Sequence, residues 1–597
     1  MGVAKGDVVL LMGPNDVDWV VAAHAVVAAG GVVSPAGARG TVGEVERQLC
    51  AGGAVAVLVG VDCLPVVRAV VAQRAAQRGT QEREGSDAAP VVAPRVGGDS
   101  LVVVVLDGNE GDGEWRATPG HEGFLSFSDL IDSGTALVAA AGVTDEPADG
   151  AAEAADALSP VPIDAATDVA ALPFSSGTTG ISKGVVLTHA NLIANVRQLG
   201  AHAEAAATAT AATDGDDSGG GGGDGGGGGD SVGVATPSTR DTVLAVLPLS
   251  HIYGFSLFCC HSLHVRSTVV LLRAFTLPDF LSAIATHRVS LVYVVPPLVA
   301  ALAAHPLVAS FDLSSLRRLV CGAASLPDPV ALAATARLGV PITQGYGLTE
   351  TSPVTHLAPP GAGSSRDAAA GLLGCIGVPV ASTECKVVDA ESGEPLGVGA
   401  EGELCIRGPQ VMRGYLVAPP PPRASTTAGA AEASPAVDET AAADSGTPPW
   451  RALALDTRCI DADGFFHTGD LVTVRPDGVF RVVGRAKELI KYKGVPVPPA
   501  EVEAVLLEHP SIVDTAVVGV PDEEAGELPR AYIVLAPGAV LSSADVAEWV
   551  RERVSPHKRL RGGVVTVAAI PKSPAGKILR RLLVQESGGG GGEGEAA

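Results

Sequence analysis

The sequence is poor in aromatic side chains: Phe, Trp and Tyr fill 4% of its 597 positions, whereas alanine, valine and glycine abound. Positive charge is also scarce, with 41 Lys and Arg against 66 Asp and Glu and a formal net charge of -25. A chain of that sign has no general affinity for nucleic acid or anionic membrane, and a pocket for polyanions has to be built locally, against the global field. The nine cysteines include no C-x-x-C pair, and no His/Cys group has zinc spacing. They read as reduced residues packed as small apolar groups in a cytosol-like compartment. A secretory leader is missing, because charges interrupt the apolar run of "MGVAKGDVVLLMGPNDVDW". The longest apolar stretch, "LVYVVPPLVAALAAHPLVA", contains Pro296, Pro297 and His305, and reads as a buried strand followed by a helix rather than a membrane span. The final "GEGEAA" is no peroxisomal address. The expectation is a cytoplasmic monomer that binds neither nucleic acid nor membrane.

What is present is ample length and core. The length suits roughly three or four average domains, and 47% of the residues are hydrophobic. Three segments read as structureless for want of apolar residues: about 204–240, about 417–449 and 587–597, the first two as insertions in surface loops. A weaker polar stretch spans about 79–98. Between them, β-branched runs (242–248, 267–272, 289–296, 316–322) alternate with Ala-rich segments that read as helices, which predicts α/β architecture with mostly parallel strands. After residue 370 the texture becomes hairpin-like. "GVGAEG" (397–402) fits G-x-G-x-x-G literally but precedes a strand and opens no helix, so it reads as a turn. From 485 onward a smaller α+β unit follows.

Several stretches carry chemistry. In "SSGTTGISKG" (175–184), glycines let backbone N–H groups converge on an anion, Ser175, Ser176, Thr178 and Thr179 add hydroxyls, and Lys183 adds a mobile charge. The order differs from a P-loop NTPase, and the bland alternative is a flexible linker. "QGYGLTET" (344–351) reads as a turn in which Tyr346 would stack on a base, Thr349 bond a phosphate and Glu350 hold Mg²⁺. "FHTGDL" (466–471) places Asp470 after a tight Gly turn, suited to the hydroxyls of a ribose. "GRAKELIKYKG" (484–494) concentrates Arg485, Lys487, Lys491 and Lys493 in an acidic chain, and "PKSPAGKILRR" sets Lys577 in a Gly-Lys turn. Each has a plain structural alternative: a solvent-exposed turn, a turn aspartate, a solvated charged face.

Jointly and in this order, these motifs resemble the adenylate-forming superfamily of acyl- and aryl-CoA ligases, luciferases and peptide-synthetase adenylation domains. "LPLSHIYGF", "FDLSSLRRLVCGAASL", "GELCIRGPQVMRGYL" and "KELIKYKGVPVPPAEVE" look most like plant-type 4-coumarate–CoA ligases. The resemblance implies a large N-terminal domain (1–484) of mostly parallel sheets with helices plus a β-rich subdomain. It also implies a small α+β C-terminal lid (485–586) hinged near Lys487. Two half-reactions follow: a carboxylate attacks the α-phosphate of ATP, and coenzyme A then takes the acyl group. By the same resemblance, Ser175, Ser176, Gly177, Thr178, Thr179, Gly180 and Lys183 cradle the β- and γ-phosphates. Gly322, Ala323, Ala324 and Tyr346 enclose adenine beside Gln344 and Gly345. Thr349 meets the α-phosphate, Glu350 the Mg²⁺, Asp470 and Arg485 the ribose, and His251 the substrate carboxylate. Lys577 bridges carboxylate and phosphate, while Lys491, Lys493 and Gly494 line the nucleotide and pantetheine path after lid rotation. Three departures stand out. The start resembles an internal segment of the family, Ser182 replaces a usual proline, and Pro496 replaces a usual glutamine. The alternatives are a fatty-acyl-CoA ligase, a carrier-loading enzyme, and a degenerate, non-catalytic nucleotide-binding protein.

Overall fold

The computed structural model describes residues 3–84, 101–106, 125–131, 161–176, 182–213, 235–362, 369–417, 454–493, 495–573 and 576–588. Two seven-stranded sheets form the bulk. The first runs 125–126, 102–106, 54–60, 8–13, 32–37, 169–171, 187–188, and all its pairings but the last are parallel. The second runs 268–271, 242–245, 291–294, 318–321, 342–347, 354–357, 378–379. It is parallel through its first five strands and antiparallel at the end. Strands buried on both faces need no polar alternation, and Ala54–Gly60, Leu291–Val294 and Arg318–Cys321 are buried throughout.

One apolar core joins the two sheets. It contains Leu11 and Leu187 of the first, Tyr293 and Val354 of the second, and Trp19 and Leu257 from helical segments. Local signals set the helices around it: Thr41 and Glu44 form a reciprocal cap at Val42–Gly52, Thr276 caps Leu277–His287, and Ser542 caps Ser543–Arg553. A four-stranded antiparallel sheet follows (384–388, 402–407, 466–474, 480–485), and then a five-stranded C-terminal sheet with its own core around Val502, Val517 and Ile533. "GVGAEG" is the turn expected, opening onto the strand Gly402–Arg407.

The expected insertion limits need correction. The helix His189–Thr213 carries the first ten positions of 204–240, because its face packs on the core through Ala206. The far side of that segment is folded too, with Ala235 and Thr236 buried. Positions 214–234 lie outside the described residues, as do 418–449. Likewise the helix Leu64–Glu84 absorbs the start of 79–98, and Arg580–Gly588 absorbs the start of the tail. Composition sets a mean, but a helix already anchored on a core extends through alanines that lose little entropy on ordering. All nine cysteines are free. No helix among the described residues is long and apolar enough to cross a membrane.

Candidate active site

His251 lies past the C-terminal end of the strand Thr242–Ala245, in a loop fixed from the other sheet. The buried Asn15 amide donates to the carbonyls of Ala245 (3.1 Å) and Leu247 (3.0 Å) and accepts the Leu249 N–H at 2.9 Å. His251 caps the short helix after it: its Nδ1 accepts the Tyr253 N–H at 3.2 Å. Burial lowers its pKa, so the ring is neutral and its proton resides on Nε2. Tyr253 lies against Gly322, where a Cβ would come within 2.9 Å of its hydroxyl oxygen and displace the ring. Tyr253 packs edge-on to Tyr293 at 6.1 Å. Both line a cavity together with His251, Leu257, Val320, Gly345, Leu348 and Thr349, among others.

Tyr346, which also lines that cavity, leads to a charged cluster beside it. "QGYG" is not a turn but the end of the strand Ile342–Gly347, and a 3₁₀ turn, Thr349–Thr351, follows it. Gly347 must be glycine, since a Cβ would lie 2.1 Å from the Pro353 carbonyl oxygen. Gln344 spends its side-chain oxygen on the Leu326 N–H at 3.1 Å, tying down the loop that bears Ala323 and Ala324. The Tyr346 hydroxyl donates to Asp470 Oδ2 at 2.6 Å, and Arg485 Nε meets Asp470 Oδ1 at 2.7 Å. Burial pushes the Asp470 carboxyl up, and the Arg485 guanidinium and Tyr346 hydroxyl pull it back. Each oxygen keeps a second lone pair for a ligand hydroxyl.

Asp470 also differs from its expected setting. It sits inside the strand Phe466–Val474, at a bulge where Gly469 has φ +71° and the register slips between Leu471 and Val472. Glu403 on the neighbouring strand holds the bulge: one carboxylate oxygen accepts the Gly469 N–H at 2.9 Å, and the other meets His467 Nδ1 at 3.0 Å. With Cys405 these residues form a tight cross-strand group, although their spacing in sequence suggests none.

Lys577 joins this cluster from the C-terminal sheet's side. Its turn is closed by Ser573 N–H on the Lys577 carbonyl (2.8 Å) and Lys577 N–H on Ser573 Oγ (3.1 Å). The turn docks on the large unit, with the Gly576 Cβ position 3.5 Å from both Val295 and Pro297. Burial and then the Arg485 guanidinium lower the Lys577 pKa. Arg580, one turn on, pairs with Glu488 (2.8 Å) and Glu503 (2.7 Å), anchoring that face.

Ser175 and Lys183 pair across the hairpin 174–176/182–184. Its tip, with Gly177, Thr178, Thr179 and Gly180, lies outside the described residues, as does the Ser176 side chain. Lys183 Nζ sits 4.7 Å from the Tyr415 ring centroid, and the Tyr415 hydroxyl donates to Glu350 at 2.7 Å. One tyrosine thus links the loop lysine to the buried carboxylate. Only its place in "RGYL" signals this, because the partner is 65 positions away. Glu350 retains one oxygen for a hard cation, so its donor type fits Mg²⁺ shared with phosphates.

The remaining basic residues stand apart. Lys487 is exposed in the 3₁₀ turn Ala486–Glu488. Lys491 and Lys493 are exposed on the C-terminal sheet: the Lys491 N–H bonds Glu527 and the Lys493 ammonium Glu524 at 2.6 Å. Gly494 lies outside the described residues. Pro496 sits on the edge strand Val495–Val497, where a missing N–H is tolerated.

Residues 1–416 match the family model of AMP-binding enzymes, and 501–577 match the model of the AMP-binding enzyme C-terminal domain. A 4-coumarate–CoA ligase of Oryza sativa subsp. japonica is 35% identical over 588 residues, covering 98% of this chain and 84% of that one. One of Arabidopsis thaliana is 39% identical over 417 residues, covering 70% of this chain and 63% of the relative. Among solved structures, an anthranilate CoA ligase in complex with anthranoyl-AMP superposes with a TM-score of 0.67 at 22% identity, covering 98% of this chain and 88% of that chain.

Proposed function

The chain belongs to the AMP-binding enzyme family, and on that premise we propose that it is an ATP-dependent acid–CoA ligase acting on 4-coumarate or a related aryl acid. The observation that carries this reading is the meeting of Tyr346, Asp470, Arg485 and Lys577, drawn from separate stretches of sequence, beside a cavity that Tyr346 and His251 both line.

In the first step a carboxylate oxygen attacks the α-phosphorus, the bond to the β-phosphate oxygen breaks, and acyl-AMP and pyrophosphate form. In the second, the sulfur of coenzyme A attacks the acyl carbon, and AMP leaves with one oxygen of the former carboxylate. Two anions must meet in the first step, so the protein's task is neutralisation and alignment. The neutral His251 orients the carboxylate through its Nε2–H. Asp470 and Arg485 hold the ribose, and Lys183 with the hairpin tip holds the outer phosphates. Lys577 reaches the carboxylate and α-phosphate from the C-terminal unit (residues 485–586). Glu350 would hold Mg²⁺, which supplies charge neutralisation on the phosphates. Lys491 and Lys493, outside the cluster in this arrangement, serve the second step after the C-terminal unit rotates.

The aryl reading draws on the relatives' names and on a cavity walled by Tyr253 and Tyr293 with the ring of Tyr253 packed on Gly322. Pyrophosphate release across a panel of aryl, medium-chain and long-chain acids tests it. The expected result is turnover confined to aryl acids. Turnover of long-chain acids alone overturns the aryl assignment, and release with none overturns the enzyme reading.

A further inference from the structure

The acyl cavity has a floor as well as a mouth. The mouth, with His251 and Gly322, lies past the C-terminal ends of the strands Thr242–Ala245 and Arg318–Cys321. At the opposite ends, Asp241 accepts from Arg318 at 2.7 Å and from the Ser290 hydroxyl at 2.7 Å. The chain 235–236 is pinned there: Arg318 reaches the Thr236 carbonyl at 3.5 Å, and the Tyr293 hydroxyl donates to the Ala235 carbonyl at 3.3 Å. Strands of this length separate floor from mouth by roughly 10 Å.

Thr236 lines the cavity, is 1% exposed, and its hydroxyl has no hydrogen-bond partner among the described residues. Buried hydroxyls are ordinarily paired, and an unpaired one is costly. The surrounding wall is apolar, with Leu199, Leu257 and Val354, and the Tyr293 hydroxyl is already spent on Ala235. The cavity therefore carries the His251 Nε2–H near its mouth and the Thr236 hydroxyl at its floor.

We propose that the Thr236 hydroxyl is a specificity-determining contact at the cavity floor, selecting acids that carry a hydrogen-bonding group at the end opposite the carboxylate. This rests on the acid–CoA ligase reading and adds the residue that reads the far end of the acid. A site holding an unpaired buried hydroxyl discriminates against an otherwise identical ligand that leaves it unpaired.

The test compares 4-coumarate with cinnamate, which differ only in the ring hydroxyl, on the wild type, Thr236→Val and Thr236→Ser. Binding of each acid is read by calorimetry without ATP, and kcat/KM by pyrophosphate release. The wild type is expected to favour 4-coumarate by about 10-fold or more. Thr236→Val, which keeps the shape, should bring the two acids within about threefold, mainly by raising KM for 4-coumarate. Thr236→Ser should keep the preference. A preference unchanged in Thr236→Val, a wild-type preference for cinnamate, or failure of the wild type to bind either acid overturns the proposal. A binding preference that collapses in Thr236→Val without any pyrophosphate release sustains the floor contact and overturns the ligase reading instead.

Discussion

The two ends of the proposed site are built on opposite principles. At the end proposed for the nucleotide, charge is met by charge: Asp470 by Arg485 and Tyr346, with Lys577 beside them. At the end proposed for the acid, no charged side chain of the described residues lines the cavity: His251 is neutral, Tyr253 and Tyr293 are packed edge-on, and the Thr236 hydroxyl has no partner among the described residues. An ionic cluster is maintained by partners, and losing one leaves the others buried and unpaired. A neutral pocket is maintained by shape, and changes there alter which ligand fits. Variants at the first end should therefore abolish a step, and variants at the second should change preference.

The strongest way to break this contrast is Lys577→Ala. It removes one preorganised cation from a transition state in which two anions meet, and adenylation should fall by roughly 10² to 10³. Thioester formation from supplied acyl-AMP should persist, because the proposed mechanism uses Lys577 in the first step alone. Lys493→Ala should show the reverse bias. Equal slowing of both steps in Lys577→Ala would remove the division of labour. Next in size, Asp470→Ala should weaken ATP binding by roughly 10- to 100-fold, equivalent to about 1.5–3 kcal/mol for a lost charged hydrogen bond. Unchanged ATP affinity in calorimetry would remove the ribose assignment.

How legible each end was follows the same contrast. Asp470 stood out through the Gly turn of "FHTGDL", Arg485 through the cluster of basic residues it opens in a strongly acidic chain, and Lys577 through the Gly-Lys turn of "PAGKIL". Their setting was less legible. Gly469 reads as a turn, yet it is a bulge inside a strand, held by a glutamate 66 positions away. The neutral end was almost invisible. Asn15 fixes the His251 loop from more than 230 positions away, and an isolated asparagine announces nothing. Thr236 fell within a segment read as structureless from its glycines. The alternation of strands and helices was legible because buried parallel strands write themselves as short β-branched runs.

Buried neutral histidines extend the contrast to pH. Burial pushes the His356 pKa down to about 3 and that of His261 to about 4. The unfolded chain titrates near 6.5, so below that pH it binds protons that the folded chain refuses. Stability is therefore full above about 6.5 and falls as pH drops, by about 1.4 kcal/mol per pH unit for each group. The loss continues to about 4 for His261 and about 3 for His356. Denaturant melts between pH 7 and 5 should show this slope, and His356→Gln should flatten it. An unchanged slope would mean that His356 titrates freely.

The smallest effect sharpens the boundary of the neutral end. Replacing 214–234 with a short Gly-Ser turn should leave turnover within about threefold, because closure entropy grows only logarithmically with loop length. Extending the cut through 240 removes Ala235 and Thr236 and should abolish discrimination at the floor. Equal outcomes for the two deletions would contradict the corrected boundary.

The most direct test of the central assignment follows one oxygen atom. Turnover with 4-coumarate labelled with ¹⁸O in its carboxylate, ATP and coenzyme A should place one label in AMP, found by mass spectrometry, because the carboxylate attacks the α-phosphorus and AMP leaves with that oxygen. Label recovered in inorganic phosphate, with ADP as the nucleotide product, would mean attack at the γ-phosphorus and would contradict the account.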